Sequence, residues 1–362
     1  MWTNTRVSEL LGIRYPIIQG PLGGGYSTTA LTAAVSNAGG LGSFGAVTLT
    51  PEEVLQTVRE IAARTDRPFA MNLWVPIAGQ DDRRVSPEDL ERSARHLRPY
   101  FAELGIPPPL PARITQSFPE QVQALLEARP PVFSFVMGIP DAAILREARQ
   151  RGIRTIGAAT TVEEAEALAA AGVDVITASG SDAGGHRGSF LRPVDSSQVG
   201  TMSLIPQLAS AVRTPVIAAG GIADGRGVAA ALALGAEGVQ LGTAFLATPE
   251  SGAPAVHREL LGTPRSRVTR LTRAFSGRHA RGIENELMLE LEKHPEDLLS
   301  FPAQNMLTTP LRRAAAGAGK RSMLALWAGQ SAGLARQVPA AQLVETLVRE
   351  TSEVLHRLGS LV

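Results

Sequence analysis

The chain contains no cysteine, which excludes disulfide bonds, thiolate metal ligands and a cysteine nucleophile. This absence suits a reducing compartment. Neither sign of charge is in excess, since 35 Lys and Arg residues stand against 34 Asp and Glu residues, for a net charge of +1. Such a balance offers no electrostatic basis for binding nucleic acid or an anionic membrane surface. We therefore expect neither as a partner.

Long apolar runs are also lacking. The first residues contain no apolar core of the kind found in signal peptides, and no run is long enough to span a bilayer. We therefore expect a cytoplasmic protein. With 362 residues, of which 44% are hydrophobic and 19% charged, the chain has ample material for a core. An α/β barrel of about 250 residues plus an elaboration fits this length as well as two domains do.

Apolar runs alternate with helical patterns over the first two thirds of the chain. Capping residues mark the helix starts, as at Thr50, which is followed by Pro51 and Glu53. Eight βα units in this length predict a (β/α)8 TIM barrel of the α/β class. The main alternative, a doubly wound sheet, lacks its G-x-G-x-x-G fingerprint after the first strand. We predict strands at 15–20, 41–47, 68–76, 132–137, 154–159, 173–178, 215–219 and 238–246.

Two parts of the chain depart from this rhythm. Residues 77–114 are polar and rich in proline, and we interpret them as an insertion or lid with one helix near 86–104. From residue 249 the pattern becomes irregular, basic and helical. We predict a barrel at 1–250, a helical substrate-side subdomain at 251–320 and C-terminal helices at 321–362 that return to the barrel. Beyond residue 280 we expect helices at 284–292, 323–335 and 340–358, and loops at 294–309 and 312–321.

The most informative stretch is Ser179-Gly-Ser-Asp-Ala-Gly-Gly-His-Arg-Gly188, which follows the strand predicted at 173–178. Its glycines leave bare backbone that a flat ligand can approach closely. Catalytic groups of barrels lie at the carboxyl ends of strands, and His186 has the ordinary pKa that a general base needs. Asp182 is an alternative base, although an aspartate beside glycines is typical of a turn. We predict His186 as the catalytic residue.

Two further glycine loops follow the seventh and eighth predicted strands. They contain Ala218-Ala-Gly-Gly221 and Gln240-Leu-Gly-Thr243. Both lead toward a helix N-terminus, where free backbone N–H groups bind phosphate, and barrels commonly bind phosphate after these two strands. The alternative is that the glycines only form tight turns. We predict a phosphate-bearing ligand.

Other polar residues leave questions open. Asn72 lies among apolar neighbours at the end of the third predicted strand, where a buried amide needs partners. Those partners are either backbone groups or the edge of a polar ring system. The remaining histidines stand among charged residues, so we expect them at the surface and predict no metal site: His96, His257, His279, His294 and His356.

Several of these motifs, in this order along nearly the whole chain, resemble the nitronate monooxygenase family, formerly called 2-nitropropane dioxygenases. The glycine motifs also occur in other flavin barrels, whereas their combination with the Trp-Ala-Gly-Gln segment is quite specific. The motifs are Gln19-Gly-Pro-Leu-Gly-Gly24, Asn37-Ala-Gly-Gly-Leu-Gly42, Asp182-Ala-Gly-Gly-His-Arg-Gly188, Ala219-Gly-Gly-Ile-Ala-Asp224, Gln240-Leu-Gly-Thr-Ala-Phe245, Phe275-Ser-Gly-Arg278 and Leu326-Trp-Ala-Gly-Gln330.

The resemblance implies FMN held noncovalently, and oxidation of alkyl nitronates or nitroalkanes by O2 to a carbonyl compound and nitrite. It implies that His186 is the catalytic base or orients the substrate, and we place Ser276 and Arg278 on the substrate side. Many members have Gln where this chain has Ser179, so that flavin contact is lost or bridged by water. The implied flavin contacts are Gly20, Pro21, Leu22, Gly23, Asn72, Ser179, Gly184, Gly185, Gly220, Gly221, Gln240, Leu241, Gly242 and Thr243.

Other functions stay open at this point. An FMN-dependent enoyl-ACP (acyl-carrier-protein) reductase shares the barrel and a similar Gly-Gly-His motif, and would use NAD(P)H. The arginines of 258–281 would suit an acidic carrier protein or a nucleotide phosphate. A quinone reductase is a third enzyme, and a barrel that binds a phosphate ligand without catalysis is the non-enzyme alternative. The Trp-Ala-Gly-Gln segment and the chain length favour the monooxygenase.

Overall fold

A computed structural model describes residues 1–77, 85–108 and 116–361. Predictions that fall on residues 78–84 and 109–115 of the insertion lie outside the described residues. The strands are β1 Ile17–Gln19, β2 Gly42–Gly45, β3 Phe69–Trp74, β4 Val132–Val136, β5 Arg154–Ala159, β6 Val175–Ser179, β7 Gly185–His186, β8 Val216–Ala219, β9 Gly238–Leu241, β10 Thr269–Thr272 and β11 Ala280–Ile283. The helices are α1 Arg6–Leu11, α2 Thr29–Asn37, α3 Pro51–Ala62, α4 Pro87–Glu103, α5 Phe118–Ala128, α6 Ala142–Gln150, α7 Val162–Ala170, α8 Thr201–Ala211, α9 Gly225–Ala233, α10 Thr243–Leu246, α11 Ala255–Arg258, α12 Glu286–Leu291, α13 Ala303–Gly317 and α14 Ala340–Gly359.

Eight parallel strands form the central sheet, in the order β1-β9-β8-β6-β5-β4-β3-β2. Its two edges meet, because a parallel bridge joins Ile18 to Leu41. The amide of Gln19 donates to the carbonyl of Leu41 over 2.9 Å, and the amide of Leu41 donates to the carbonyl of Ile17 over 2.9 Å. The sheet therefore closes into a (β/α)8 barrel, and the predicted fold class is confirmed. The doubly wound alternative, which has open edges, is wrong.

Local sequence signals fix the barrel elements. β3 buries its first five residues, as expected when helices cover the outside of a parallel sheet. At the start of α3, Thr50 Oγ1 accepts from the amide of Glu53 over 3.2 Å, and Glu53 Oε2 accepts from the amide of Thr50 over 2.7 Å. The predicted capping box is confirmed. Among the described helices, none is long and apolar enough to cross a membrane.

Residues 251–335, called the cap below, follow the last barrel strand. The cap shares an apolar cluster with α4, in which Leu97 and Phe101 join Leu287, Leu311 and Leu326. The helix expected near 86–104 is thus confirmed as α4, and it packs against the cap. The domain boundaries at residues 250 and 320 stay a prediction.

The cap also contains an antiparallel sheet that the sequence analysis missed, with the strand order β10-β11-β7. Its third strand comes from the glycine loop after β6, and His186 pairs with Ala280. The segment 251–320 is therefore not purely helical. Because β7 belongs to this sheet, the cap holds the backbone of His186.

Four predicted elements differ in the structure. The strand expected at 238–246 ends at Leu241, because Gly242 turns the chain into α10. The loops expected at 294–309 and 312–321 are wrong, since α13 occupies most of this stretch and buries its apolar side. The helix expected at 323–335 is also wrong, because single 3₁₀ turns at Arg321–Met323 and Ala332–Leu334 flank an extended segment.

Two late helices are as expected. Residues 284–292 contain α12, and 340–358 lie within α14. The buried side of α14 packs against α2 and α9 on the outside of the barrel. The last predicted helix therefore returns to the barrel wall.

Candidate active site

The predicted flavin contacts lie at the carboxyl ends of neighbouring barrel strands. Gly20 to Gly23 follow β1, Gln240 to Thr243 end or follow β9, and β9 pairs with both β1 and β8. The amide of Gly20 donates to the carbonyl of Leu241 over 2.8 Å. A Cβ atom on Gly20 would lie 3.2 Å from Gly242 Cα, so the two loops touch. The structure thus brings these loops together at one mouth of the barrel.

The loop after β8 needs its glycines for two reasons. Gly220 and Gly221 have φ values of +107° and +70°, which side chains rarely adopt. A Cβ atom on Gly220 would also lie 2.9 Å from Ala183 N and from Thr201 Oγ1. The tight-turn interpretation therefore holds for these residues, and it does not conflict with a ligand at the same place.

Free backbone donors mark the two loops after β8 and β9. Among the described residues, nothing accepts a hydrogen bond from the N–H groups of Gly221, Gly242 and Thr243. The start of α9 is occupied, because Asp224 Oδ1 accepts from the amides of Arg226 and Gly227 over 3.0 and 3.4 Å. An anion would therefore be bound by the loop N–H groups and not by the first turn of α9.

Asn72 has a side-chain partner, which neither of the two alternatives considered from the sequence named. It is buried, and Nδ2 donates to Ser134 Oγ over 3.0 Å. Oδ1 makes no hydrogen bond to a described residue. One end of the amide is therefore held by the protein, and the other end is left for a ligand.

Arg187, which was not predicted as a site residue, holds the glycine loop after β6. Its buried guanidinium donates to the carbonyls of Ser179 and Gly180. Burial is the largest cause that lowers the pKa of Arg187, to about 10. Asp182, the alternative base, accepts from Thr201 N and Oγ1 over 2.7 Å each. It therefore serves as a turn and helix-start residue, as its glycine neighbours indicate.

A serine fixes the proton position on His186. Ser276 Oγ lies 2.8 Å from His186 Nε2 and 3.1 Å from the carbonyl oxygen of Arg278. Since a carbonyl only accepts, the Ser276 hydroxyl donates to it and accepts from Nε2–H. Neutral His186 then carries its proton on Nε2. Nδ1, which bonds to no described residue, is left as the proton acceptor.

Aromatic rings and two cations surround this imidazole. Its ring centroid lies 4.8 Å from that of Trp74 and 5.4 Å from that of Trp327. Arg278 stacks on Phe301, with 4.5 Å from Cζ to the ring centroid. Burial, followed by the charges of Arg278 and Arg312, lowers the pKa of His186 to about 3. The imidazole is therefore neutral at physiological pH.

Comparison with known proteins agrees with this geometry. Residues 4–350 match the family model described as nitronate monooxygenase. The chain belongs to the nitronate monooxygenase family. A probable nitronate monooxygenase of Staphylococcus saprophyticus is 40% identical over 361 residues, covering 99% of this chain and 100% of the relative. One of Staphylococcus aureus is 39% identical, covering 98% and 99%. Family membership makes the chain a flavin-dependent oxidoreductase, so the non-enzyme alternative is wrong.

Comparison with solved structures also favours a nitronate or nitroalkane oxidising enzyme over a reductase. A nitroalkane oxidase from Streptomyces ansochromogenes matches with a TM-score of 0.89 and 39% identity, over 98% of this chain and 100% of that one. FabK from Thermotoga maritima matches with a TM-score of 0.76 and 32% identity, over 99% of both chains. The structural likeness is thus greater to the nitroalkane oxidase.

Several residues around His186 were not predicted as site residues. Trp74 ends β3 and Trp327 belongs to the Trp-Ala-Gly-Gln motif, and these positions were the available signals. Arg312 lies on α13, which was expected to be loop. Met137, whose Sδ lies 2.6 Å from Arg278 Nη1, follows β4 with a positive φ of 71°. No pattern in the sequence marks that position.

All the other histidines were expected at the surface, and this prediction is wrong for His257. His257 is fully buried against the ring of Tyr26, and burial lowers its pKa to about 4. His96, His294 and Asp297 place possible ligand atoms within 4.8 Å of one another. Arg92 and Arg95 already approach the Asp297 carboxylate at 3.1 and 3.5 Å, which offsets its attraction for a cation. The absence of a metal site stays a prediction.

Proposed function

We propose that this protein binds FMN and oxidises small alkyl nitronates, and more slowly nitroalkanes, with O2 to a carbonyl compound and nitrite. The observation that carries the proposal is a neutral imidazole between two tryptophans and two arginines, at the mouth of a nitronate monooxygenase barrel. Bound FMN would supply the redox chemistry, taking electrons from the nitronate and passing them to O2.

The residues present fit a flavin with one phosphate. The N–H groups of Gly221, Gly242 and Thr243 would hold the phosphate. The ring would be contacted by the loop from Gly20 to Gly23 and by the free Oδ1 of Asn72. The side chain of Ser179, shorter than the glutamine common in the family, makes no hydrogen bond to a described residue. We therefore infer that water fills the space between it and the ring.

The charges around His186 favour a substrate that is already an anion. Protonating Nδ1 places a buried cation beside Arg278 and Arg312, and burial followed by these two charges lowers the pKa of His186. Removing a proton from a neutral nitroalkane therefore costs more than binding the nitronate, whose negative charge both guanidinium groups attract. We infer that His186 positions nitronates and acts as base only toward nitroalkanes.

The low pKa gives an expected pH dependence. Because folding lowers the pKa of His186 from 6.5 to about 3, the imidazole stays neutral as the pH falls from 8 to 5.5. We expect kcat/KM for a freshly prepared nitronate to show no acid limb near 6.5 over this range. Initial rates of nitrite release in buffers of constant ionic strength measure it. An acid limb near 6.5 that disappears in His186→Asn would contradict the assignment.

A nicotinamide-dependent reductase is the second candidate, because FabK matches nearly the whole chain at 32% identity. The two candidates differ in their reductant. In the testing experiment, the FMN-loaded protein is kept anaerobic and mixed with ethyl nitronate, NADPH or NADH while the visible flavin absorption is followed. Bleaching by nitronate only, with nitrite released on admitting air, supports the proposal. Bleaching by a nicotinamide only would favour the reductase, and a protein that retains no FMN would contradict both.

A further inference from the structure

Arg312 is a partly buried cation to which the proposed function assigns attraction for the nitronate but no contact with it. Its Nη2 donates to Asn305 Oδ1 and to Thr309 Oγ1 over 2.7 Å each, both on its own helix. Its Nε is buried and has no hydrogen-bond partner. Among the described residues, no carboxylate forms an ion pair with it. Buried charges are normally paired or bind a ligand, so this guanidinium has donors left for one.

Helix α13, which carries Arg312, is hydrogen-bonded to the segment next to Ser276, the residue that holds His186. Gln304, Thr308 and Arg312 follow one another at four-residue spacing and so share one side of α13. Gln304 Nε2 donates to the carbonyl of Ala274 over 2.8 Å, and Thr308 Oγ1 donates to that of Phe275. The next residue, Ser276, holds His186. This side of α13 therefore faces the segment that positions the imidazole.

Electrostatic effects place the guanidinium between two parts of the site. Its charge lowers the pKa of His186. It also opposes the rise in the pKa of Tyr26 that burial produces. Tyr26 follows the glycine loop after β1, which is assigned to the flavin ring. The charge of Arg312 therefore acts on both the imidazole and the residue that follows that loop.

We propose that Arg312 binds the planar, negatively charged oxygens of the substrate, so that the enzyme prefers a nitronate to the neutral nitroalkane. The proposal rests on the function proposed above. With Nη2 donating to Asn305 and Thr309, Nη1 is the group left to donate to an oxygen of the anion, and the guanidinium charge attracts an anion more strongly than a neutral nitro group. Nη2 is already oriented by Asn305 and Thr309, which reduces the entropy lost on binding.

Nitrate, a planar oxyanion that is not oxidised, is the probe that tests the site apart from turnover. Its Kd is measured by titration calorimetry on the FMN-loaded protein. We expect Arg312→Gln to raise the Kd by about 10- to 100-fold, the loss of a charge-assisted hydrogen bond. The matched control is Arg313→Gln, the next residue on α13, which is exposed. We expect its Kd within about twofold of the parent protein.

Turnover provides the second measurement. The ratio of kcat/KM for ethyl nitronate to that for nitroethane should fall about tenfold or more in Arg312→Gln. An unchanged ratio and an unchanged nitrate Kd, at normal flavin content, would overturn the proposal. If Arg312→Gln does not fold, Arg312→Lys decides, because it keeps the charge but loses the planar group that Asn305 and Thr309 hold in place. A nitrate Kd raised severalfold supports the proposal, and an unchanged Kd overturns it.

The two proposals fail separately. If the parent protein does not oxidise nitronates but its nitrate binding depends on Arg312, the proposed function is wrong and the anion site remains. If nitronates are oxidised while neither measurement responds to Arg312→Gln, the function remains and the anion site is wrong.

Discussion

His186→Asn is expected to lower kcat/KM for nitroethane by about 10²- to 10⁴-fold, the usual contribution of a general base. For preformed ethyl nitronate we expect a loss of no more than about tenfold, because no proton has to be removed. Asparagine lacks the Nε2 atom that contacts Ser276, and its amide does not accept a proton at this pH. Nitrite release with each substrate, at equal flavin content, is the measurement.

A control variant separates the effect of losing the base from the effect of losing its orientation. Ser276→Ala keeps the imidazole but removes the group that holds the proton on Nε2. We expect it to lose less nitroalkane activity than His186→Asn, while the nitronate rate changes little. Equal losses on both substrates in His186→Asn would show that His186 does not remove a proton.

Gly184→Ala is expected to have the largest effect on the architecture of the site. A Cβ atom there would overlap the backbone atoms Ala328 C and Gly329 N, and backbone cannot move aside as a side chain can. The obstacle is itself fixed, since the amide of Gly329 donates to Thr243 Oγ1 over 2.9 Å and that of Gln330 to the Asp182 carbonyl over 2.9 Å. Overpacking of this kind costs about 1–3 kcal/mol.

The same substitution should also displace the catalytic loop, because Gly184 is two residues from His186. We expect flavin content and nitronate turnover to fall by about tenfold or more, together with a lower unfolding temperature. Visible absorption per protein and thermal unfolding measure these changes. The control is Gly317→Ala, near the end of α13, where a Cβ atom meets nothing within 4 Å. If both variants retain flavin equally, the packing argument is wrong.

The barrel was predictable because its signals are local. Short apolar runs, glycine turns and capping residues such as Thr50 each specify an element without distant partners. The error at 238–246 has a local cause as well, since the residues of α10 are as apolar as those of β9. Periodicity did not reveal the change of conformation at Gly242.

The cap was less predictable because its elements depend on distant partners. β11 is a strand because it pairs with both β10 and β7, and the β7 partner lies about a hundred residues earlier in the chain. α13 contains Pro310 and a run of alanine and glycine, which read as loop. It is helical because Leu307, Leu311 and Ala315 are buried in the cluster shared with α4.

The candidate site also has a part that the sequence predicts and a part that depends on distant segments. The glycine loops and His186 were predicted as site residues from the motifs and stay a prediction, and the departure at Ser179 did not alter family membership. Apart from Ser276 and Arg278, the environment of the imidazole was not found, because Trp74, Arg312 and Trp327 come from three separate segments. Only the folded chain brings them together.

The antiparallel pairing of β7 with β11 has a consequence for how the substrate range of such an enzyme evolves. The barrel provides the cofactor loops, whereas His186 and the rings and arginine facing it are anchored in or against the cap. A mutation that reshapes the substrate wall therefore also re-aims the imidazole. Substrate range and chemical step are inherited together, and the family can diversify both by altering the cap while its flavin barrel stays the same.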